Sequence, residues 1–205
     1  MQEKSDSSIG NLISLLSSSN DLARTRACKA LIAMGSSAVP FLVEALRNSN
    51  QLMRWEAAKA LAAIGDPKTA PALVEALEDE EFEVRWRAAE GLSKMEAAGI
   101  VPLLEALVKD GESVPLREGA HHVLHIVATG ILRNELLPVL MALESMWPSV
   151  EVPVAALRAL ERLEVLQKTD KGPASGPFKR SPGTSWYESA DFDAKRRNRR
   201  HARSL

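Results

Sequence analysis

Three histidines lie close together in the pattern H-H-x-x-H, formed by His121, His122 and His125. Residues four apart share one face of a helix, so His121 and His125 have the spacing that can bind one metal ion. No glutamate follows His121, which excludes the H-E-x-x-H signature of zinc peptidases. Because His121 takes the place of a small residue in the repeat described below, we interpret the cluster as structural and predict neither a metal nor a cofactor.

Cys28 is the single cysteine of the chain. A catalytic thiol needs a neighbouring base, and no histidine lies in the same repeat. Later repeats have Ala58 and Ala89 at the equivalent position, so we predict a buried, unreactive thiol. A lone cysteine also excludes an intramolecular disulfide framework. With no serine–histidine–aspartate signature and no glycine-rich phosphate loop, the sequence predicts a protein without a catalytic centre.

Two apolar patterns recur along the chain at one period. The first is the helical template i, i+3, i+4, i+7, with copies 30, 31, 30 and 36 residues apart. The second has one marker leucine per copy. We name the helices of the first pattern B and those of the second A, and the predicted order is B, four A-B pairs, then A. The templates begin at Ile9, Val39, Ala70, Ile100 and Leu136, and the markers are Leu31, Leu61, Leu92, Leu124 and Leu160.

Glycines and prolines separate these predicted helices. Gly35 and Gly65 follow A helices, where glycine commonly ends a helix. Four prolines are predicted at the starts of B helices, where the missing N–H costs nothing. Aromatic residues are only 4% of the chain, which favours closely packed helices over a sheet. The predicted fold class is all-α, with longer loops in the last unit. The four prolines are Pro40, Pro71, Pro102 and Pro138.

The stretch Gly65–Leu92 resembles the HEAT-like repeat first described in phycobilisome lyases. The resemblance covers roughly residues 9–163. It implies an α-α superhelix, a solenoid of about four to five helix pairs with the B helices on the concave side. The residues that carry it are Gly65, Asp66, Ala70, Leu73, Ala76, Leu77, Asp79, Val84, Arg85, Ala88, Ala89 and Leu92. On this basis we divide the chain into a flexible N-terminus (1–8), a HEAT-like repeat domain (9–166) and a disordered basic tail (167–205).

An arginine precedes each of the first four marker leucines by seven residues. A fixed repeat position favours ladder contacts to acids of the adjacent repeat. Trp55 and Trp86 directly follow two of these arginines, and tryptophan with arginine is typical of binding hot spots. We therefore name both tryptophans as candidate partner contacts, with packing within the repeats as the alternative. The four arginines are Arg24, Arg54, Arg85 and Arg117.

One outward position of the B helices is acidic in three successive repeats. Glu44, Glu75 and Glu105 occupy it, and Met141 follows in the fourth. Because neighbouring helices pack about 8–10 Å apart, the carboxylates are predicted to form a row, with Glu78 near one end. Two interpretations stay open. The row is either an ordinary solvated face or an acidic groove for a basic segment of a protein partner.

The helical periodicity stops near Gln167. The last 38 residues carry ten basic and four acidic side chains, a net charge of +6, whereas the rest of the chain carries 16 and 23, a net charge of −7. The aromatic pair Trp186 and Tyr187 suggests a short linear motif or a helix that forms on binding. A basic run follows, and its interpretations are phosphate binding on a nucleic acid, a protein contact or solubilisation. Its candidate contact residues are Arg196, Arg197, Arg199 and Arg200.

No apolar run approaches the length of a membrane span, and the first residues contain no signal-like segment, so we expect a cytoplasmic protein without a membrane partner. The predicted function is a non-catalytic scaffold that binds proteins through the concave face and the basic tail. Two alternatives remain: association with nucleic acid through the tail, and a role like that of a phycobilin lyase, which the resemblance implies. The sequence leaves the partner and the oligomeric state open.

Overall fold

The computed structural model describes residues 2–130 and 132–169, and it describes side chains for residues 6–130 and 132–166. This part of the chain is all-α, as predicted, with ten α-helices and no strand. The helices are α1 (Gln2–Leu15), α2 (Asp21–Met34), α3 (Val39–Ala45), α4 (Gln51–Ile64), α5 (Ala70–Glu75), α6 (Phe82–Lys94), α7 (Ala97–Lys109), α8 (Val114–Val127), α9 (Leu132–Leu143) and α10 (Pro148–Thr169).

Helices α1 to α8 form the predicted alternation of two layers. Helices α2, α4, α6 and α8 pack on one another in sequence and form the A layer. Helices α1 and α3 form one contact of the B layer, and α5 and α7 form another. Small A-helix residues make the close packing possible, since Ala57, Ala58 and Ala88 are completely buried. Each large leucine buried between the layers contributes about 1.5–3 kcal/mol, and Leu31, Leu61 and Leu92 have no exposed surface.

The last helix departs from the predicted order. The sequence assigned α10 to the A layer and α9 to the B layer, but α10 packs against the B helix α7 and against α9, and α9 packs against the A helix α8. The approach to the end of α7 is close, because a Cβ added to Gly111, two residues after α7, would lie 2.5 Å from Pro153 Cγ. The buried alanines Ala156 and Ala159 give α10 a flat face of the kind that permits such packing. The periodicity correctly predicted that α10 has a buried face, but it wrongly predicted the layer against which that face packs.

The ends of the helices are partly as predicted. Gly35 and Gly65 end α2 and α4 with φ angles of 59° and 66°, and Pro40 and Pro71 lie in the first turns of α3 and α5. Two B helices begin earlier than predicted. Pro102 lies inside α7, and the corresponding proline of α9, Pro138, is also internal. The segments before α3 and α5 contain separate 3-10 turns, whereas the equivalent residues before Pro102 are part of α7 itself.

Helix α1 begins at Gln2, so residues 2–8, which were assigned to a flexible N-terminus, continue the helix that carries Ile9. The physical reason is that residues 2–8 contain neither proline nor glycine, so nothing in them interrupts a helix. Ile9, which follows these residues in α1, and Leu16, which comes directly after α1, are both buried. Their burial against α2 and α3 holds the whole of α1 on the repeats.

Candidate partner-binding faces

The four arginines of the A helices share one structural role. In each case the guanidinium Nη1 donates to the backbone carbonyl six residues earlier, in the loop that leads into the same helix. The arginine thereby ties the loop between two repeats to the following A helix. The four contacts are Arg24 to Ser18 O at 2.7 Å, Arg54 to Asn48 O at 3.0 Å, Arg85 to Asp79 O at 2.8 Å and Arg117 to Gly111 O at 2.8 Å.

Two of these arginines also make the predicted ladder contacts to acids of the next repeat. Arg54 donates from Nε and Nη2 to both oxygens of Asp79, at 2.7 and 3.0 Å, and from Nη2 to Glu80 at 2.9 Å. The Arg54 and Asp79 side chains are only 8% and 9% exposed, and the hydrogen bonds that Arg54 donates to Asp79 raise the pKa of Arg54. Arg24 donates to Glu56 at 3.1 Å. Asp79 is therefore held by Arg54 in the contact between two repeats.

Cys28 on α2 and Glu56 on α4 are neighbours within the A layer. Glu56 is 2% exposed and accepts hydrogen bonds from Arg24 and, at 3.0 Å, from Lys59. Burial raises the pKa of the Cys28 thiol to about 11, and the negative charge of Glu56 acts in the same direction. The thiol is therefore protonated at neutral pH and shielded from solvent. These properties agree with the predicted unreactive cysteine and give Glu56 a structural role.

The two candidate tryptophans lie in the A layer and have cations or aromatic rings as neighbours. Trp55 is half-buried, with Lys59 Nζ 4.8 Å from its ring centroid. Arg87 lies at 5.6 Å from the same centroid. Trp86 is 42% exposed, and its ring centroid is 4.4 Å from that of His122. Since the acidic row belongs to the B helices, the tryptophans and the glutamates do not form one site.

The rings of His121 and His125 are neighbours, with centroids 6.1 Å apart, whereas His122 packs elsewhere. His122 packs on Trp86, and burial, together with the charges of His121 and His125, lowers its pKa. His121 Nε2 lies 2.9 Å from Glu144 Oε1, which links α8 to the segment after α9. In residues 6–130 and 132–166, no group of three or more histidine, cysteine, aspartate or glutamate side chains is arranged to hold a metal ion. The contacts of His122 with Trp86 and of His121 with Glu144 connect α8 to α6 and to the segment after α9.

The predicted acidic row is exposed on successive B helices. Glu44 on α3, Glu75 on α5 and Glu105 on α7 all face solvent, and Glu78 is exposed just after α5. The sequence interpretation missed one member of this face. Arg47 Nη2 lies 2.6 Å from Glu75 Oε2, and both side chains are 62% exposed. The signal was present, because Arg47 follows Glu44 by three residues and therefore lies on the same helix face.

A small cleft separates α3 from α5 at this ion pair. Its volume is about 100 Å³, well below the roughly 300–1,000 Å³ of a typical cofactor pocket, so its size suits a single side chain. Both apolar and charged groups line it, which suits the aliphatic stem and charged end of a lysine or arginine. The lining residues are Val43, Leu46, Arg47, Ala72, Glu75, Ala76 and Asp79.

The remaining candidates cannot be placed on these faces. Trp186, Tyr187, Arg196, Arg197, Arg199 and Arg200 lie outside the described residues. The sequence interpretation also missed exposed apolar side chains near the end of the repeats, at Trp147, Val150, Val154 and Leu157. Their spacing of three, four and three residues was the signal. Separately, no helix in the described part of the chain is long and apolar enough to cross a membrane.

Comparisons with known proteins identify the repeats. No curated protein matches the chain. The crystal structure of an engineered protein is similar at 20% identity over 82% of this chain and 90% of that chain, with a TM-score of 0.39, a value too low to support an argument. The profile of HEAT repeats matches residues 9–93 and 39–125, which together span more than half of the chain. The chain therefore belongs to the HEAT repeat family.

Proposed function

We propose that the protein is a non-catalytic scaffold whose B-layer face binds a lysine- or arginine-rich segment of a partner protein. HEAT repeats are commonly protein-interaction scaffolds, and that general role is the starting point. The observation that carries the proposal is the row of exposed carboxylates at Glu44, Glu75 and Glu105, one on each of three successive B helices. Repeated carboxylates at helix spacing complement an extended basic segment, which presents charges at regular intervals.

The ion pair between Arg47 and Glu75 supports the proposed chemistry. Its contact of 2.6 Å on an exposed surface is the geometry in which a guanidinium binds a carboxylate of this face. Arg47 belongs to the protein itself, so the row is partly neutralised at its centre. Glu44 and Glu105 are the carboxylates on either side of this pair. We therefore expect the partner's cations to bind at these two positions and to exchange with Arg47 at Glu75.

The interior chemistry supports a binding role over a catalytic one. Two groups with altered pKa values have structural roles: the Cys28 thiol is buried, and the Arg54 guanidinium is held by Asp79. The B-layer glutamates, in contrast, are exposed and far less involved in the fold. Among the described residues, no arrangement of side chains favours a role like that of a phycobilin lyase, so the proposal does not include one.

The proposal is tested by neutralising the row in the full chain. A triple variant, Glu44→Gln, Glu75→Gln and Glu105→Gln, should lose protein partners that the wild type captures from nuclease-treated lysate, and should bind a polylysine peptide more weakly at low salt. A control with the same change in charge, Asp6→Asn, Glu83→Gln and Glu112→Gln, alters exposed acids elsewhere and should retain both. Equal binding by the two triple variants would contradict the proposal.

Association with nucleic acid through the tail is a second candidate, favoured by the net charge of +6 in residues 168–205. Lysine and arginine neutralise phosphates with steep salt dependence and little sequence preference. Replacing Arg196, Arg197, Arg199 and Arg200 by glutamine should abolish binding to a fluorescent oligonucleotide and leave protein capture by the B-layer face intact. Loss of protein capture in this variant would instead assign the tail to the protein partner.

A further inference from the structure

A cleft interrupts the B layer between α3 and α5. Helix α1 packs against α3, and α5 packs against α7, whereas the cleft of about 100 Å³ separates α3 from α5. The exposed ion pair between Arg47 and Glu75 joins the two sides, because Arg47 comes two residues after α3 and Glu75 is the last residue of α5. The centre of the proposed binding face is therefore bridged by a cation of the protein itself.

Arg47 has the position and the chemistry of a side chain from a bound partner. Its guanidinium Nη2 lies 2.6 Å from Glu75 Oε2. Arg47 also lines the cleft, together with the half-buried Val43 and Ala72. A long basic side chain places its aliphatic stem along apolar surface and keeps its charged end at the surface. An arginine of a bound segment that used this cleft would therefore make the same contact with Glu75 that Arg47 makes.

The other two carboxylates of the row differ from Glu75 in this respect. Glu44 on α3 and Glu105 on α7 face solvent, and neither forms an ion pair with another described residue. The carboxylate that already holds a cation is thus the one that lies at the cleft. A carboxylate bound by an internal cation is less available to an external one, so the pair lowers the attraction of the row at its centre.

The contact between Arg47 and Glu75 is weak enough to be replaced. Both side chains are 62% exposed. Solvent screens the charges of an exposed ion pair, and holding two flexible side chains together costs entropy. Arg54, in contrast, is less than a tenth exposed and binds both oxygens of Asp79. The repeats are therefore held together by the buried pair, and Arg47 can leave Glu75 without disturbing them.

We propose that Arg47 is a built-in competitor, which occupies Glu75 until a basic segment of the partner displaces it. This inference rests on the proposed function, because it concerns the regulation of the same row. The affinity of a site falls with the fraction of time for which the site is free, and for an exposed ion pair the reduction is about two- to sixfold. Segments with cations for Glu44 and Glu105 as well overcome the competition, because their contacts act together. Arg47 thus selects against segments with a single cation.

The first test is the fluorescence anisotropy of a labelled octalysine peptide titrated with the full chain at low salt. Arg47→Ala should bind the peptide about two- to sixfold more tightly than the wild type. Arg26→Ala removes an exposed arginine of α2, in the A layer, with the same change in net charge, and should bind like the wild type. Circular dichroism shows whether both variants keep their helix content. If Arg47→Ala binds no more tightly than Arg26→Ala, the competitor proposal is overturned, while the triple variant of the row still tests the proposed function separately.

The second test is a double-mutant cycle, which separates competition at Glu75 from the effect of overall charge. Glu75→Gln alone should weaken binding of the octalysine peptide. In the Glu75→Gln background, Arg47→Ala should no longer tighten binding, because the carboxylate for which Arg47 competes is gone. An equal gain from Arg47→Ala in both backgrounds would rule out the competitor. Binding that is unaffected by Glu75→Gln would overturn the competitor and the role of Glu75 in the proposed function together.

Discussion

The middle repeats and the C-terminal unit, which comprises α9, α10 and the segment between them, use their side chains in opposite ways. In the middle, Arg54 and Asp79 are less than a tenth exposed and are paired with each other between two repeats. In the C-terminal unit, Trp147, Val150 and Met141 are about two-thirds exposed although they are apolar. The middle therefore buries its polar groups in pairs, whereas the end leaves apolar groups in contact with water.

This difference follows from the one-dimensional packing of a solenoid. Each repeat contacts only its neighbours, so a middle repeat is covered on both sides, whereas the final pair of described helices, α9 and α10, has a repeat on one side only. Reactive-looking residues in the middle, such as Cys28 and Glu56, are consequently structural. Uncovered residues at the end have no such role in the single chain. Side-chain chemistry in this protein must therefore be interpreted from position in the stack as well as from residue type.

The largest expected effect comes from breaking the buried pair in the middle. Arg54→Ala leaves Asp79 without its bidentate partner and frees the carbonyls of the preceding loop, so the free energy of unfolding should fall by about 3–5 kcal/mol. Urea unfolding followed by circular dichroism measures the change. Arg26→Ala removes an exposed arginine of α2 and should change stability by less than about 0.5 kcal/mol. Equal effects of the two substitutions would show that the ladder is not structural.

The sequence predicted most of the repeat architecture, because apolar periodicity records which face of each helix is buried. It predicted the alternation of A and B helices and the glycine ends at Gly35 and Gly65. It did not predict that α10 packs on α7, because a buried face does not specify its neighbour. It also placed Pro102 at the start of its helix, since one sequence segment can form either a 3-10 turn or another turn of α-helix.

The candidate faces were predicted less completely. The exposure of Glu44, Glu75 and Glu105 followed from the helix period and holds in the structure. Their exposure does not test their role in binding, which remains a proposal. The pairing of Glu75 with Arg47 depends on the lateral register of two helices 28 residues apart in sequence, which periodicity does not determine. The separation of the tryptophans from the glutamates likewise required knowledge of which layer each helix joins.

An intermediate effect is expected where a side chain occupies a backbone conformation that favours glycine. Glu96 has a φ angle of 51° at the position that Gly35 and Gly65 hold in earlier repeats. Since left-handed backbone costs an L-residue about 1–2 kcal/mol, Glu96→Gly should raise the free energy of unfolding by about 1 kcal/mol. The reverse change, Gly65→Ala, should lower it by a similar amount. Urea unfolding of both variants checks the prediction, and a destabilised Glu96→Gly variant would contradict it.

The smallest expected effect is the pH dependence of the contact between α6 and α8. Because the pKa of His122 is lowered in the folded chain, the unfolded chain binds its proton first, and stability should decrease as pH falls below about 6.5. Thermal melting at pH 7.5 and 5.5 should show a smaller loss for His122→Gln than for the wild type. His125→Gln leaves the contact of His122 with Trp86 in place and should retain most of the loss. An unchanged loss in His122→Gln would assign the pH dependence to other groups.

The central claim, that the middle repeats are internally satisfied and the last helix is not, is tested most directly by hydrogen–deuterium exchange of the full chain. Peptides from α4 and α6 should exchange slowly, because these helices are packed between neighbouring repeats. Peptides from α10 should exchange faster, because Val150, Val154 and Leu157 leave one side of this helix in contact with water. Equal protection of α10 and of the two middle helices would contradict the account.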